Sequence, residues 1–267
     1  MSLANDPVLA VAIRAARTAA SIVADSARDL RRLPAFSKEH DDIVANAKVE
    51  VEDAIIASIR GAFPDHAILG EESGHIKGAR EGSGYKWLVD PIDGMANFVH
   101  GFPSYAISLA LVHGTEVTHA VVLDPMGDEL FAAAKAKGAT LNGATIHVSA
   151  CLRLTDAIVG MVSPGREDPK LAPYLATFGA LAARCTGVRQ LGSCALTLAH
   201  VAAGRLDGFC MMSLKPWDIA AGALLVKEAG GRIGDFAGGT QFLRTSEVLA
   251  ASPGVFNLLR EAVSLAR

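Results

Sequence analysis

The segment WLVDPIDGMANF, residues 87–98, places Asp90 and Asp93 three positions apart around a proline, with a glycine behind them. Other acidic residues share their setting. Glu71 and Glu72 follow the short apolar run AILG, and Asp218 opens the run DIAAGALLVKEAGG. Each of these carboxylates stands where an element ends or begins, so the set is free to converge on one crevice. An oxygen-only set, without histidine or cysteine partners, suits a hard cation such as Mg²⁺. Plainer readings compete at every position: Asp90-Pro91 and Asp93-Gly94 are ordinary turn pairs, Asp218 an ordinary helix cap, Glu71-Glu72 a solvated corner. Turns and caps do not explain why Trp87 and Trp217 precede two of these sites, or why glycines cluster after them.

The elements that must position these residues are legible from periodicity. Asp6-Pro7 reads as a helix cap followed by proline at the first helical position. Apolar spacing through Val8, Ala12, Ala16, Ala19, Val23 and Leu30 continues that helix. A second helix is predicted from about Asp42 to Arg60, with Val44, Ala47, Val51, Ile55 and Ile59 on one stripe and Gly61 as its stop. From residue 67 the period shortens: AILG, YKWLV, YAISLALV, VTHAVVL and ELFAAA read as strands of an antiparallel sheet, with Asp90 ending its strand and Asp93 in the following turn. Asn142-Gly143 is a hairpin signal. Strands near 156–162, 186–192 and 206–211 then alternate with helices over 169–183, 194–203 and 218–229, an α/β pattern. The sequence therefore divides near residue 150, into an α+β half over 1–150 and an α/β half over 151–267, with no low-complexity linker between them.

Composition narrows the classes of function. Among 267 residues, 51% are hydrophobic, enough for a large core, and the formal charge is −3 without a Lys/Arg block. That balance gives no electrostatic footprint for nucleic acid or an anionic membrane and favours a small-molecule or protein partner. The longest apolar runs fall short of the roughly 20 residues of a spanning helix, and no signal-peptide pattern opens the chain, so a cytoplasmic protein is expected. Cys151, Cys185, Cys194 and Cys210 lack metal-like spacing and read as buried thiols.

Three segments carry a specific likeness. GEES at 70–73, WLVDPIDGMANFVHGFP at 87–103 and KPWDIAAGALLVKEAGG at 215–231 resemble, in order and spacing, the signature segments of the inositol monophosphatase family. DELFAAAKAKGATLNG resembles the family's stretch between them, and the similarity covers nearly the whole chain. The resemblance implies a layered αβαβα sugar-phosphatase sandwich and a homodimeric Mg²⁺-dependent phosphomonoesterase acting on a small phosphorylated metabolite. Carried over by position, Glu71, Asp90, Asp93 and Asp218 are side-chain metal ligands, and Ile92 lends its backbone carbonyl. Glu71 and Asp93 are also catalytic. Gly94, Met95, Ala96 and Asn97 open a short helix that holds the phosphate. Asp93, Asp218, Gly192, Cys194 and the position of Met211 border the substrate.

The chain also departs from that pattern. Met95 stands where most members have a threonine, Lys48 where they have an aspartate that helps position the attacking water, and Ala45 at another usual threonine. Val44, Lys48, Val51 and Ile55 share one helix face, so the Lys48 ammonium is expected to reach the carboxylates and to take space otherwise used by a cation. Met211 replaces a glutamate that accepts from polyol hydroxyls, which disfavours inositol phosphate as substrate. Lys38 is a candidate for the family's upstream lysine. A fructose bisphosphate or phosphonucleotide is an alternative substrate. A catalytically weak paralogue that binds a protein or metabolite is the alternative of a different class.

Overall fold

Asp6 accepts hydrogen bonds from the Val8 and Leu9 N–H groups at 3.0 and 3.2 Å, capping helix α1, Pro7–Leu30. The computed structural model describes residues 3–33, 37–80 and 82–266. Helix α2, Lys38–Ala62, is capped by Ser37 and starts earlier than its apolar stripe suggests. It also runs through Gly61 to Ala62, with Phe63 as its C-cap, so Gly61 is not the stop; in the last turn, with nothing packed on it, the glycine's cost of about 1 kcal/mol does not end the helix.

The first sheet combines β1 Ala67–Gly70, β2 Gly74–Ile76, β3 Tyr85–Asp93, β4 Ala106–His113, β5 Glu116–Asp124, β6 Glu129–Ala134, β7 Ala139–Leu141 and β8 Ala144–Thr145. Its order is β2-β1-β3-β4-β5-β6-β7-β8, antiparallel except where β1 runs parallel to β3. Between β3 and β4 lies the short helix α3, Met95–His100. Asn142 and Gly143, at φ 48° and 81°, make the tight hairpin between β7 and β8.

Next come β9 Ile158–Met161, α4 Leu171–Ala182, β10 Gly187–Gln190, α5 Cys194–Ala202, β11 Gly208–Met212 and α6 Pro216–Glu228. The chain closes with β12 Arg232–Gly234, α7 Phe242–Thr245, β13 Glu247–Ala251 and α8 Pro253–Leu265. The second sheet, in the order β10-β9-β11-β13-β12, mixes parallel and antiparallel pairs.

Five layers result. Helices α1 and α2 cover one face of the first sheet, burying Leu9, Val23, Val51 and Ile55 with Trp87, Val89 and Leu109. Helices α5 and α6 lie between the sheets, in a core that joins Leu88, Ala110 and Val122 to Leu198, Leu225, Phe209 and Leu249. Helices α4 and α8 back the second sheet. This is the expected αβαβα sandwich, and the middle core draws on residues from both sides of position 150. Helix α1 is long and apolar enough to cross a membrane, which its short uninterrupted runs conceal. Its apolar stripe is buried in the core while Arg14, Arg17, Asp25 and Arg28 face outward, as in an amphipathic core helix.

Candidate active site

Asp90 and Asp93 are buried at the end of β3, where its register with β4 shifts between the two residues. The strand does not stop at Asp90, as the Asp-Pro pair suggested. Pro91 lacks an N–H, and β3 tolerates it at this irregularity. Asp90 accepts the Ile92 N–H at 3.1 Å. Opposite Asp90 stands Ser108, whose hydroxyl donates to the Trp217 carbonyl at 3.3 Å and so ties the start of α6 to β4. Asp218, in the first turn of α6, accepts the Lys215 N–H at 2.8 Å with one oxygen. The helix therefore starts two residues before Asp218 with Lys215 at its cap, and Asp218, read from sequence as the cap itself, is its third residue and faces the crevice.

Asp93 has the most elaborate support. One of its oxygens accepts from Ser193 Oγ at 2.5 Å and from the Ala195 N–H at 2.7 Å, in the first turn of α5. Ser193 itself caps that helix by accepting the Leu196 N–H at 3.1 Å. Asp93 therefore lies where unpaired N–H groups and the helix dipole favour a negative charge. Burial still outweighs these bonds and lifts its pKa to about 6. Burial, then the charge of Asp93, raises Asp218 to about 7. Asp90 is pushed well up by burial and by Asp93, Glu71 and Asp218 together. Asp90, Asp93, Asp218 and Glu71 are thus close enough to feel one another's charge, at the ends of β1 and β3 and the start of α6.

The mouth of the crevice carries a cation of the protein's own. Lys48, on the inner side of α2 with 20% of its side chain exposed, approaches Glu71 Oε1 at 3.4 Å and makes a short hydrogen bond to Glu72. Burial works against its charge, but the bond to Glu72 and the charges of Glu71 and Glu72 raise its pKa above the ordinary lysine value. The turn that presents Glu71 is held by Glu52, a buried α2 residue that accepts the N–H groups of Glu72 and Ser73 at 3.1 and 2.7 Å. Gly70 makes this approach possible: a Cβ there would stand 2.3 Å from Glu52 Oε1. Ala45, on the same helix, is exposed, and Lys38 is exposed at its start.

On the other side, α3 begins after Gly94, with Met95 half-buried against the core under α1 and Ala96 exposed. The Asn97 amide donates to the carbonyls of Ser104 and Leu191 at 2.6 and 2.7 Å, and Ser104 Oγ donates to Leu191 at 2.7 Å. Gly192, at φ 83°, lies directly against that amide, because a Cβ would come within 2.4 Å of Asn97 Nδ2. The Cys194 thiol is buried and held protonated by burial and the charges of Asp93, Asp218 and Asp90, so it borders the crevice from inside the core. Met211 is buried in β11, where its thioether packs among core residues.

Glu52, Ser104, Ser108 and Ser193 were missed from sequence. Only Ser193 carried a local signal, as a serine just ahead of a helix.

Among the described residues, no three His, Cys, Asp or Glu side chains are gathered into a closed cage for a metal ion. Single oxygens of Asp90, Asp93 and Asp218 are instead turned to backbone N–H groups, and Glu71 to Lys48. The donor chemistry of Asp90, Asp93 and Asp218 nevertheless fits a hard cation: two buried carboxylates and a half-buried third repel one another, and Lys215 offsets only part of the charge at Asp218. Glu71 already has a countercharge in Lys48.

A five-layer sandwich of this order, with helices between its two sheets, is the sugar-phosphatase fold. The inositol monophosphatase family model matches residues 4–264, and the chain belongs to that family. A protein named Nus factor SuhB from Pseudomonas aeruginosa is 42% identical, over 95% of this chain and 94% of its own. Nus factor SuhB from Escherichia coli K12 is 39% identical, over 93% and 92%. Among solved structures, the extragenic suppressor protein suhB of Bartonella henselae superposes with a TM-score of 0.87 at 34% identity, over 97% of this chain and 100% of that one. An inositol monophosphatase from Anabaena gives 0.86 at 32% identity, over 97% and 95%.

Proposed function

We propose that this chain is a cytoplasmic Mg²⁺-dependent phosphomonoesterase of reduced activity, acting on a small sugar or polyol phosphate. The observation that carries the reading is the Lys48 ammonium held between Glu71 and Glu72 beside a crevice of mutually repelling carboxylates. In hydrolysis, a water oxygen bonds to phosphorus, the ester P–O bond breaks, and the leaving alcohol takes up a proton. Mg²⁺ held by Asp90, Asp93, Asp218 and the Ile92 carbonyl, and by Glu71 in competition with Lys48, would supply countercharge to the phosphate and the leaving oxygen. Ser193 and the first turn of α5 fix the direction of Asp93, and the start of α3 receives the phosphate.

The water is poorly served. Glu71 offers fewer lone pairs to it while accepting from Lys48, and Met95 has no hydroxyl with which to hold it. A positioned proton acceptor contributes about 10²–10⁴-fold, and this is the scale of the loss. The test is phosphate release from inositol 1-phosphate, a fructose bisphosphate and a phosphonucleotide with Mg²⁺, beside the Anabaena inositol monophosphatase. Turnover within about tenfold of that enzyme on inositol 1-phosphate would overturn the reading, since such a gap is only ~1.4 kcal/mol.

A second reading is favoured by the name of the relatives: Nus factor SuhB proteins are 38–42% identical to this chain. In it the chain works by binding a macromolecular partner, and the crevice is a relic. The overall charge of −3 disfavoured nucleic acid on electrostatic grounds; the relatives' name reopens that question. Homodimerisation is carried over from the family resemblance, and sedimentation tests it.

A further inference from the structure

A second cleft, of about 890 Å³, opens between the first sheet and α6, lined along that helix from Pro216 to Lys227 without any of the four crevice carboxylates. Its floor is apolar, built from Leu69, Leu88, Val112, Ile233, Phe242 and Leu243. Its walls carry Lys86, Lys135, Lys227, Arg232 and Arg244 against a single acid, Glu116. Five cations and one anion leave a local excess of four positive charges in a chain whose formal charge is −3. Glu116 is taken by Lys135. The Arg232 guanidinium lies 4.3 Å from the Phe256 ring centroid, a contact that leaves the charge uncompensated. Among the described residues, Lys86, Lys227 and Arg244 have no carboxylate at salt-bridge distance.

Leu69, Leu88 and Pro216 bring the floor of the cleft within two residues of Glu71, Asp90 and Asp218, but its basic rim stands apart from the crevice. Lys86 precedes Asp90 by four residues of β3, about 13 Å at the rise of a strand. Lys227 follows Asp218 by nine residues of α6, about 14 Å at the rise of a helix. Its volume lies within the range of pockets that enclose a small organic ligand. An apolar floor alone would suit a hydrophobic molecule and a basic rim alone an inorganic anion; together they select a ligand with both characters.

We propose that this cleft binds a small amphipathic polyanion, with an apolar or aromatic body and at least two phosphate or carboxylate charges. Apolar contact with Phe242 and Leu88 seats the body, while Lys86, Lys227 and Arg244 meet the charges, the guanidinium offering a paired-donor fork to a phosphate. The proposal is independent of turnover in the crevice.

The test is calorimetric titration of the full chain in EDTA with ATP and coenzyme A, and with adenosine and tripolyphosphate as the two halves of the ligand. ATP or coenzyme A is expected to bind at least about tenfold more tightly than either half, and Lys227→Glu with Arg244→Glu to weaken binding at least about tenfold. Both residues are exposed, so the double variant should melt with the wild type; Lys227→Gln with Arg244→Gln should give a smaller loss. Asp93→Asn should leave the affinity unchanged.

No binding of either compound at millimolar concentration overturns the proposal, as does equal binding of tripolyphosphate or loss of binding in Asp93→Asn. If sedimentation shows a dimer that the double variant dissociates, the cleft belongs to a second copy of the chain and the small-ligand assignment fails.

Discussion

Replacing Lys48 by methionine removes the ammonium and keeps most of the side chain's length. The pair it breaks is measurable: Nζ stands 3.4 Å from Glu71 Oε1, with the two side chains 20% and 32% exposed. Unit charges at that separation attract by about 1.2 kcal/mol in water and about 5 kcal/mol at an effective dielectric near 20. A half-buried pair lies between those limits. A divalent ion drawing on Glu71 must break this pair and also face the ammonium's repulsion. At 1.4 kcal/mol per factor of ten, Lys48→Met is expected to tighten Mg²⁺ binding by about ten- to a thousandfold. Calorimetric titration with Mg²⁺ at neutral pH reads this directly, whether or not the protein turns over substrate. Lys48→Arg keeps the charge and should stay near wild type. If Lys48→Met binds Mg²⁺ no more tightly than wild type, or Lys48→Arg gains as much, the ammonium does not oppose the cation and the argument fails.

Lys48→Asp combined with Met95→Thr should raise Mg²⁺-dependent phosphate release by more than the product of the single changes, because the two groups would hold one water as a unit, up to about 10²–10⁴-fold. A wild type as fast as the double variant would count against this. Gly192→Ala should cost about 2 kcal/mol or more, since it adds a Cβ 2.4 Å from Asn97 Nδ2 at φ 83°; an unchanged melting temperature would contradict it. Asp6 is buried, but Lys137, the Leu9 N–H and His119 more than offset that and hold its pKa below the ordinary carboxylate value. Its stabilisation is therefore complete above the unfolded value near 3.8 and fades as pH falls through the lower folded value. Asp6→Asn should lower the melting temperature at pH 6 and lose that difference towards pH 3; a constant difference across that range would show that the charge is irrelevant.

Much of the fold was legible because its signals are local. Asp6-Pro7 marks the start of α1, short apolar runs mark β4 to β6, and Asn142-Gly143 marks the last hairpin. What escaped depends on tertiary context. Gly61 lies inside α2, since nothing requires the chain to turn there. β3 runs on past Pro91 because the sheet accommodates a register shift at Asp90. Strands β2 and β12 have three residues each, too few to show a period, and they form by pairing with β1 and β13. The crevice carboxylates were legible through their motifs. Their supports, Glu52, Ser108 and Ser193, lie between 20 and about 100 residues from the groups they hold, and no pattern in one sequence joins them. Lys48 was legible as an anomaly, and the structure pairs it with Glu71 and Glu72. Met211 was legible only by alignment, and burial gives its side chain a packing role.

The Leu191 carbonyl receives the Asn97 amide and the Ser104 hydroxyl, and two residues later Ser193 grips Asp93. Residues separated by about a hundred positions thus hold each other at the crevice. During synthesis, Asp90 and Asp93 leave the ribosome well before the helix that supports Asp93, and longer still before Asp218 completes the set. A chain halted at residue 150 would carry two carboxylates destined for burial, with neither the N–H groups nor the neighbour that define their final setting. The site is therefore among the last features of the molecule to exist, and nothing can load into it until the C-terminal half has folded back across the first sheet.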